Sequence, residues 1–348
     1  MKLPQPETIG FTTPDNVDLL LTRYKGGEKG PVMVVHGVSV WSGMFRITTV
    51  RENFAEFLVR HGYDVWLLDW RASIHLPMRQ FTLDDAAAND FPAAVESILS
   101  RTGAASVQAV VHCVGSMAFF MSMAQGLLPQ VRCVAVSQVA MHPVVGTLMR
   151  IKAGLRLASA IGALGMTHVS PLPDPDYRML NAALRLYANT LHHECASTAC
   201  HRMTFMYGHM YPHRSVNVDT HEDIPQQYGP CNITTLKHLQ QVTIRGHLAK
   251  FDYGAQGNRA RYGSLTPPSY LDGAAHFRRP ITLVSGAANQ VFVPESTRRT
   301  LRWLCESNGP QFYTRRVIRG FGHFDNFVGA RADRFCYPAF WEQLEKCP

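Results

Sequence analysis

V-Q-A-V-V-H-C-V-G-S-M-A, running from Val107 to Ala118, decides how the rest of the chain is read. A short β-branched run ends at Cys113 and turns through Gly115 into a segment of helical character. A strand that stops at a nucleophile and passes at once into a helix is a nucleophile elbow. The bend needs small neighbours, because the nucleophile takes a strained backbone and adjacent strands approach closely. The side chain then stands clear of the sheet beside the first amides of the helix, which can hold an oxyanion and favour a thiolate. Here the pentad reads Val111-His112-Cys113-Val114-Gly115. The usual first Gly is Val, the last Gly is kept, and Cys stands where such bends commonly carry Ser. A buried, inert thiol is the competing reading, since free cysteine is a frequent core residue.

Outward from the elbow, strand-like and helix-like segments alternate. Val32–His36, Asp64–Asp69, Val107–Val111 and Val131–Val136 are short apolar runs. Arg51–His61, with Phe54, Phe57 and Leu58 at helical spacing, and Leu83–Ser100 read as helices between them. Such alternation predicts an α/β fold with a mostly parallel central sheet and helices on both faces. It stops near Ala140 and resumes at Pro280–Ser285, followed by a helix over Pro294–Glu306, a strand over Phe312–Ile318 and a last helix ending near Lys346. Residues 1–140 and 278–348 are therefore expected to form one core, with 141–277 inserted as a mainly helical cap. Prolines 171, 173 and 175 crowd one turn of that cap, and Pro267-Pro268 mark another.

The resumed core carries two partners for Cys113. His323 lies in Arg319-Gly-Phe-Gly-His-Phe-Asp-Asn-Phe-Val-Gly329, after the last strand, where glycines 320 and 322 permit a tight loop. It is the expected general base. After Ile281–Val284 comes Ser285-Gly-Ala-Ala-Asn-Gln-Val-Phe-Val-Pro294, which places Asn289 where an acid would be usual. A serine hydroxyl needs a carboxylate to stabilise the imidazolium formed during attack. A cysteine can exist as a thiolate–imidazolium pair, so an Asn that accepts the Nδ1–H through its carbonyl could suffice. Cys113, His323 and Asn289 are thus the expected catalytic set. Asp325, two residues beyond His323, is a reserve orienter or a loop brace. Val35-His36-Gly37-Val38-Ser39 is the expected oxyanion loop, with the amide of Val38 facing that of Val114. Gly37 and His112 are supporting residues, and His36 is structural.

Composition narrows the classes. The chain has 348 residues, 46% hydrophobic and 17% charged, which suits a folded protein with a large core. Net charge is +8, yet the basic residues are scattered in small groups such as Arg298-Arg299 and Arg315-Arg316. No basic patch interleaved with aromatics supports nucleic-acid binding. The excess could instead attract an anionic substrate or an acidic carrier protein. No apolar run reaches the roughly 18 residues that span a bilayer, and M-K-L-P-Q-P-E-T-I-G lacks the apolar core of a signal peptide. A cytoplasmic protein is expected. The eight cysteines include no C-x-x-C, so neither a zinc site nor a disulfide framework is expected, although Cys195 and Cys200 could pair under oxidation. The pairs His192-His193 and His209/His213 lack an obvious carboxylate or Cys set, so no metal and no cofactor are predicted.

His36-Gly37, Asp64-Val-Trp-Leu-Leu-Asp-Trp-Arg71, the elbow and Gly322-His-Phe-Asp325 resemble the α/β-hydrolase superfamily, in its acid (gastric and lysosomal) lipase branch. Phe251-Asp-Tyr-Gly-Ala-Gln-Gly-Asn258, Tyr262 and Pro267-Pro-Ser-Tyr270 are similar to the same branch. A closer likeness is to the hydrolase-like C-terminal region of bacterial GMC/cholesterol-oxidase-like proteins. Cys113-Val-Gly-Ser116, Arg202–Gly208, Thr220-His221 and the run from Asn289 to Thr297 carry it. No flavin-binding G-x-G-x-x-G accompanies it, so oxidase activity is not implied. The resemblance implies an α/β-hydrolase fold and a hydrophobic acyl substrate. The replacement of Ser by Cys113 and Asp by Asn289 argues against ordinary extracellular triglyceride digestion.

A cysteine nucleophile prefers thioesters, because a tetrahedral intermediate expels thiolate more readily than alkoxide. Polyhydroxyalkanoate synthases also set Cys at this elbow, which makes transfer as open as hydrolysis. The leading expectation is an acyl hydrolase or acyltransferase acting through acyl-Cys113 on an ester or a CoA- or carrier-bound thioester. The alternative is an inactive hydrolase-like protein whose capped pocket binds a lipid, a sterol-like ligand or a partner. A serine esterase through Ser116 is disfavoured, since that residue lies a turn beyond the bend.

Overall fold

A computed structural model describes residues 3–172, 178–179, 182–183, 186 and 195–347. Pro173, Pro175 and the pair His192-His193 lie outside the described residues. The sheet has eight strands: β1 (Glu7–Thr12), β2 (Asp18–Tyr24), β3 (Pro31–Val35), β4 (Asp64–Asp69), β5 (Val107–His112), β6 (Val131–Ser137), then, after a two-stranded ribbon of β7 (His168–Val169) and β8 (Cys231–Asn232), β9 (Ile281–Gly286) and β10 (Tyr313–Ile318). Their spatial order is β1-β2-β4-β3-β5-β6-β9-β10. β1 pairs antiparallel with β2 and β2 antiparallel with β4, and all later neighbours are parallel.

The central parallel strands were readable because both of their faces are covered. Every residue of β3, β4 and β5 is buried, so each appears as a continuous apolar run rather than an alternation. The opening hairpin gives a weaker signal and is an addition to the expected pattern. β1 is a half-exposed edge, and β2 buries Leu19, Leu21, Thr22 and Tyr24 while Asp18, Leu20 and Arg23 stay partly or fully exposed. Asn16, in the left-handed region at φ 59°, turns the chain between them.

The helices flank the sheet as the amphipathic pattern predicts. α1 (Phe54–Arg60) starts in a capping box between Asn53 and Glu56 and buries Phe54, Phe57 and Leu58. α2 (Leu83–Thr102) starts in a second box between Thr82 and Asp85 and stops at Gly103, whose φ of 68° ends the helix. α3 begins at Cys113 itself and runs to Ala124 with every side chain buried. An all-buried helix has no polar face, which is why periodicity marked it poorly.

The chain leaves the sheet after Ser137 and returns to it at Ile281. Between them, helices Thr147–Gly154, Leu157–Ala163, Thr198–Tyr207, Val218–Gln227 and Ile233–Arg245 build a layer over the C-terminal edge of the sheet. The ribbon of β7 and β8 within it, two residues per strand, was not expected from the sequence. Among the described residues no helix is long and apolar enough to cross a membrane. Among the described residues no disulfide links any two cysteines.

Candidate active site

Four strand ends converge on Cys113. β5 delivers it directly, with φ of 57°, a left-handed conformation that a non-Gly residue adopts only when its surroundings enforce it. The two glycines beside it explain how. A Cβ on Gly115 would stand 2.1 Å from the carbonyl oxygen of His36, and one on Gly37 would stand 2.9 Å from Cys113 Cβ. α3 and the turn after β3 therefore press together with no room for a side chain at either point. The backbone N–H groups of Val38 and Val114 both lie beside the Cys113 sulfur, where they favour its thiolate. This is the paired-amide arrangement expected of an oxyanion hole.

The turn after β3 is held from below. Asp69, at the end of β4, accepts from Ser42 N at 2.9 Å, Ser42 Oγ at 2.6 Å and Ser73 Oγ at 2.7 Å. His36 Nε2 lies 3.5 Å from the same carboxylate, and the Trp70 indole donates to His36 O at 3.0 Å. Burial would raise the Asp69 carboxyl, but the close approach of His36 and the hydrogen bonds from Ser42 outweigh it and hold the group at about 2. His36 thus packs beneath this turn, with Nδ1 2.7 Å from Gly37 O.

His323 arrives on the loop after β10. Its backbone N–H donates to Met210 O at 2.8 Å, and that of Phe324 donates to the same oxygen at 3.0 Å. Asp325 accepts twice from Gly322 N, at 2.8 and 3.0 Å, so it braces the loop and the orienting contact to His323 falls to Asn289. Burial pushes the Asp325 carboxyl up to about 7, against the lowering effect of Ser215 and Gly322. One ring nitrogen each of His112 and His323 and the Cys113 sulfur lie within 4.8 Å of one another, so this trio also has the spacing of a metal-ligand group. The two imidazole centroids are 5.0 Å apart, and His112 Nδ1 meets Ser137 Oγ at 3.0 Å.

Asn289 stands beside His323, with Nδ2 and Nδ1 separated by 3.1 Å. The expectation that Asn289 accepts the imidazole N–H through its carbonyl is corrected here. Asn289 Oδ1 is occupied by the backbone N–H groups of Val291 at 2.9 Å and Phe292 at 3.1 Å. Its amide N–H₂ donates to Gln138 Oε1 at 2.8 Å and faces His323 Nδ1. Two backbone donors fix which end of the amide is oxygen, because turning it would set N–H₂ against N–H. His323 Nδ1 is therefore the acceptor, and its ring proton sits on Nε2, which has no hydrogen-bond partner.

Electrostatics point the same way. Burial alone drives His323 down to about 3. Burial raises the Cys113 thiol to about 12 in spite of the amides of Val114 and Val38. His112 is pushed down by burial, then by the neighbouring His323 and His36. The resting site holds a neutral thiol beside neutral imidazoles, and not the thiolate–imidazolium pair expected from the residue types.

Gln138 was not singled out from the sequence, yet it ties the site together. It follows β6 at φ 83°, donates Nε2 to His323 O at 3.0 Å, and accepts from both Gly286 N and Asn289 Nδ2 through Oε1. A polar residue directly after a buried strand at the catalytic edge was the available signal. Beyond Cys113 opens a cavity lined by Met149, Leu157, Ile161, Phe205, Leu239 and other apolar side chains. Lys152 is the only Lys, Arg, Asp or Glu among the described residues that line it. Burial lowers its ammonium to about 8, and Nζ lies 3.5 Å from the Phe205 ring centroid. Tyr207, whose hydroxyl meets Ser39 Oγ at 2.6 Å, closes the side near the turn after β3.

No protein-family model matches the chain. A lipase of Caenorhabditis elegans, lipl-1, is 22% identical over 333 residues, covering 90% of this chain and 80% of its own. Triacylglycerol lipase 2 of Arabidopsis thaliana is 24% identical over 285 residues, 76% of this chain and 65% of that one. A soluble variant of monoglyceride lipase from Saccharomyces cerevisiae, solved with a substrate analogue, superposes with a TM-score of 0.60 at 11% identity, covering 100% of this chain and 95% of the other. The Pyrococcus furiosus esterase Pf2001 gives 0.55 at 13% identity over 99% and 91%. Strand order and superposition together make this an α/β-hydrolase fold.

Proposed function

We propose that this chain is an acyl-ester or acyl-thioester hydrolase or acyltransferase that forms a covalent acyl-Cys113. The single observation that carries this reading is Cys113 at the elbow, beneath two converging amides and at the end of an apolar cavity. Likeness to lipases and esterases supports an ester hydrolase and a hydrophobic ester substrate. Cys113 favours thioesters among such substrates. Its sulfur would form a bond to the acyl carbon while the bond to the leaving sulfur breaks, and the Cys113 proton would end on the released thiol. The second step passes the acyl group to water or to an alcohol or amine, regenerating the thiol. Lys152 supports an anionic group, such as a CoA or carrier phosphate, near the bound chain.

In this reading Asn289 throttles the reaction. For His323 to take the thiol proton at Nε2, its own proton must first occupy Nδ1, and the Asn289 amide must turn its oxygen toward it. That turn sacrifices the bonds from Val291 and Phe292. Leaving such buried donors unmatched costs about 1–3 kcal/mol each. Turnover is then slower by some 10²- to 10⁴-fold than with an orienter that accepts the Nδ1–H.

A second reading has its own observation. The direction of the Asn289–His323 bond and the neutral pair equally suit a protein that holds an acyl or sterol-like ligand without consuming it. Intact-protein mass spectrometry separates the two. The native chain and Cys113→Ala are incubated with a panel of acyl thioesters, fatty esters and sterol esters. Gain of one acyl mass by the native chain alone is expected. Tight binding of the same compounds with no covalent gain at any pH would instead establish the holding protein.

A further inference from the structure

Cys195, Cys200, His213 and His221 stand apart in the sequence, where the two cysteines suggest only a pairing under oxidation and His213 has no evident ligand set. The fold gathers them. Cys195 precedes the helix Thr198–Tyr207, which carries Cys200 in its first turn after the Ser197 cap. His213 opens the short turn His213–Ser215, and His221 lies on the helix Val218–Gln227. One potential ligand atom from each of the four falls within 4.8 Å of all the others. Cys200 Sγ and His213 Nε2 are 3.5 Å apart, and the His213 and His221 ring centroids are separated by 5.0 Å.

We propose that these four side chains form a structural zinc site in the cap. Two thiolates and two neutral imidazoles make a tetrahedral donor set suited to Zn²⁺, and two thiolates balance the ion's charge. Tetrahedral zinc with sulfur at about 2.3 Å and nitrogen at about 2.0 Å places its ligand atoms about 3.3–3.8 Å from one another. The cluster needs only small side-chain rotations to reach that spacing. An independent observation points to a missing partner: His221 Nε2 is shut off from solvent without a hydrogen bond. Cys200 is buried and the other three are half-buried, as befits an enclosed site with no open coordination position. The spacing C-x4-C-x12-H-x7-H is legible once the residues are known to meet. Its last gap exceeds that of common zinc modules because the two histidines sit on different elements.

The position gives the ion a purpose. Between Cys200 and His213 runs Met210, whose carbonyl receives the backbone N–H groups of His323 and Phe324. Tyr211 and Pro212 pack onto Gly322, and Ser215 O accepts from Ala330 N at 2.9 Å. Zinc would therefore staple the cap to the loop that carries His323. The site stands apart from the chemistry of Cys113 and does not rest on it.

The test is metal analysis of the full chain, produced in zinc-supplemented medium and purified without chelator or polyhistidine tag. About one zinc per chain is expected, retained in Cys113→Ala and lost in Cys195→Ser and in His221→Ala. Because those variants can fail to fold, the native protein is also stripped and reloaded with Co²⁺. Thiolate-to-cobalt charge-transfer bands and visible bands of a tetrahedral ion are expected, with a lower thermal midpoint for the stripped form. Fewer than about one zinc per ten chains, with no tetrahedral cobalt spectrum, would overturn the site. So would a Cys195–Cys200 disulfide in peptide mapping of the native protein, or zinc that Cys113→Ala loses and His221→Ala keeps.

Discussion

At Cys113 the decisive quantity is protonation. The paired amides of Val38 and Val114 favour a thiolate, but burial opposes it and prevails, raising the thiol to about 12. His323, held near 3 by burial, offers no imidazolium to compensate. Below its pKa the thiolate fraction grows about tenfold per pH unit, and alkylation follows it. Cys113 labelling by a small apolar alkylating agent is therefore expected to rise about 100-fold from pH 7 to pH 9, without a plateau or a histidine inflection. A preformed ion pair would give a flat, fast profile across that range, which peptide-resolved mass spectrometry would reveal at once. The residue types Cys, His and Asn were legible in the sequence, and the structure brings all three together. The polarity of the Asn289 bond was not legible. It depends on Val291, Phe292 and Gln138, and only the fold shows which end of the amide each of them occupies.

At the scale of elements, the elbow is a contact between α3 and the turn after β3. Gly115 lets the helix approach the His36 carbonyl, and Trp70 and Asp69 fix that carbonyl and its ring in turn. Gly115→Ala would drive a methyl into an oxygen 2.1 Å away, so the helix or the oxyanion turn must shift. Overpacking of this kind costs about 1–3 kcal/mol, to be read as a lower urea midpoint. Acylation of Cys113 is expected to fall further than stability, because the Val38 and Val114 amides move apart. A variant as stable and as readily acylated as the native protein would show that the close approach is dispensable. The same scale explains which strands could be read in advance. β3, β4 and β5 are buried on both faces and appear as apolar runs, whereas half-exposed β1 and the minimal β7–β8 ribbon leave no comparable trace.

Across the whole molecule, the sheet order, the elbow, the paired amides and the apolar cavity are the parts on which the proposed acyl chemistry rests. The excursion between Ser137 and Ile281 supplies most of the cavity wall, and through Met210 it also positions the loop of His323. Its helices could be anticipated from composition and pattern, but the meeting of remote side chains within it could not. On this account one amide restrains an otherwise competent machine. The most direct test is the single-turnover rate at which Cys113 is acylated by a medium-chain acyl thioester at neutral pH, followed by intact mass. Asn289→Asp supplies an acceptor for the His323 Nδ1–H. It is made together with Gln138→Ala, so that the new carboxylate does not face the Gln138 oxygen now 2.8 Å from Asn289 Nδ2. Relative to Gln138→Ala alone, the double variant is expected to acylate at least about tenfold faster, since the amide no longer has to turn. An unchanged or slower rate would contradict the account and leave Asn289 as a working member of the triad.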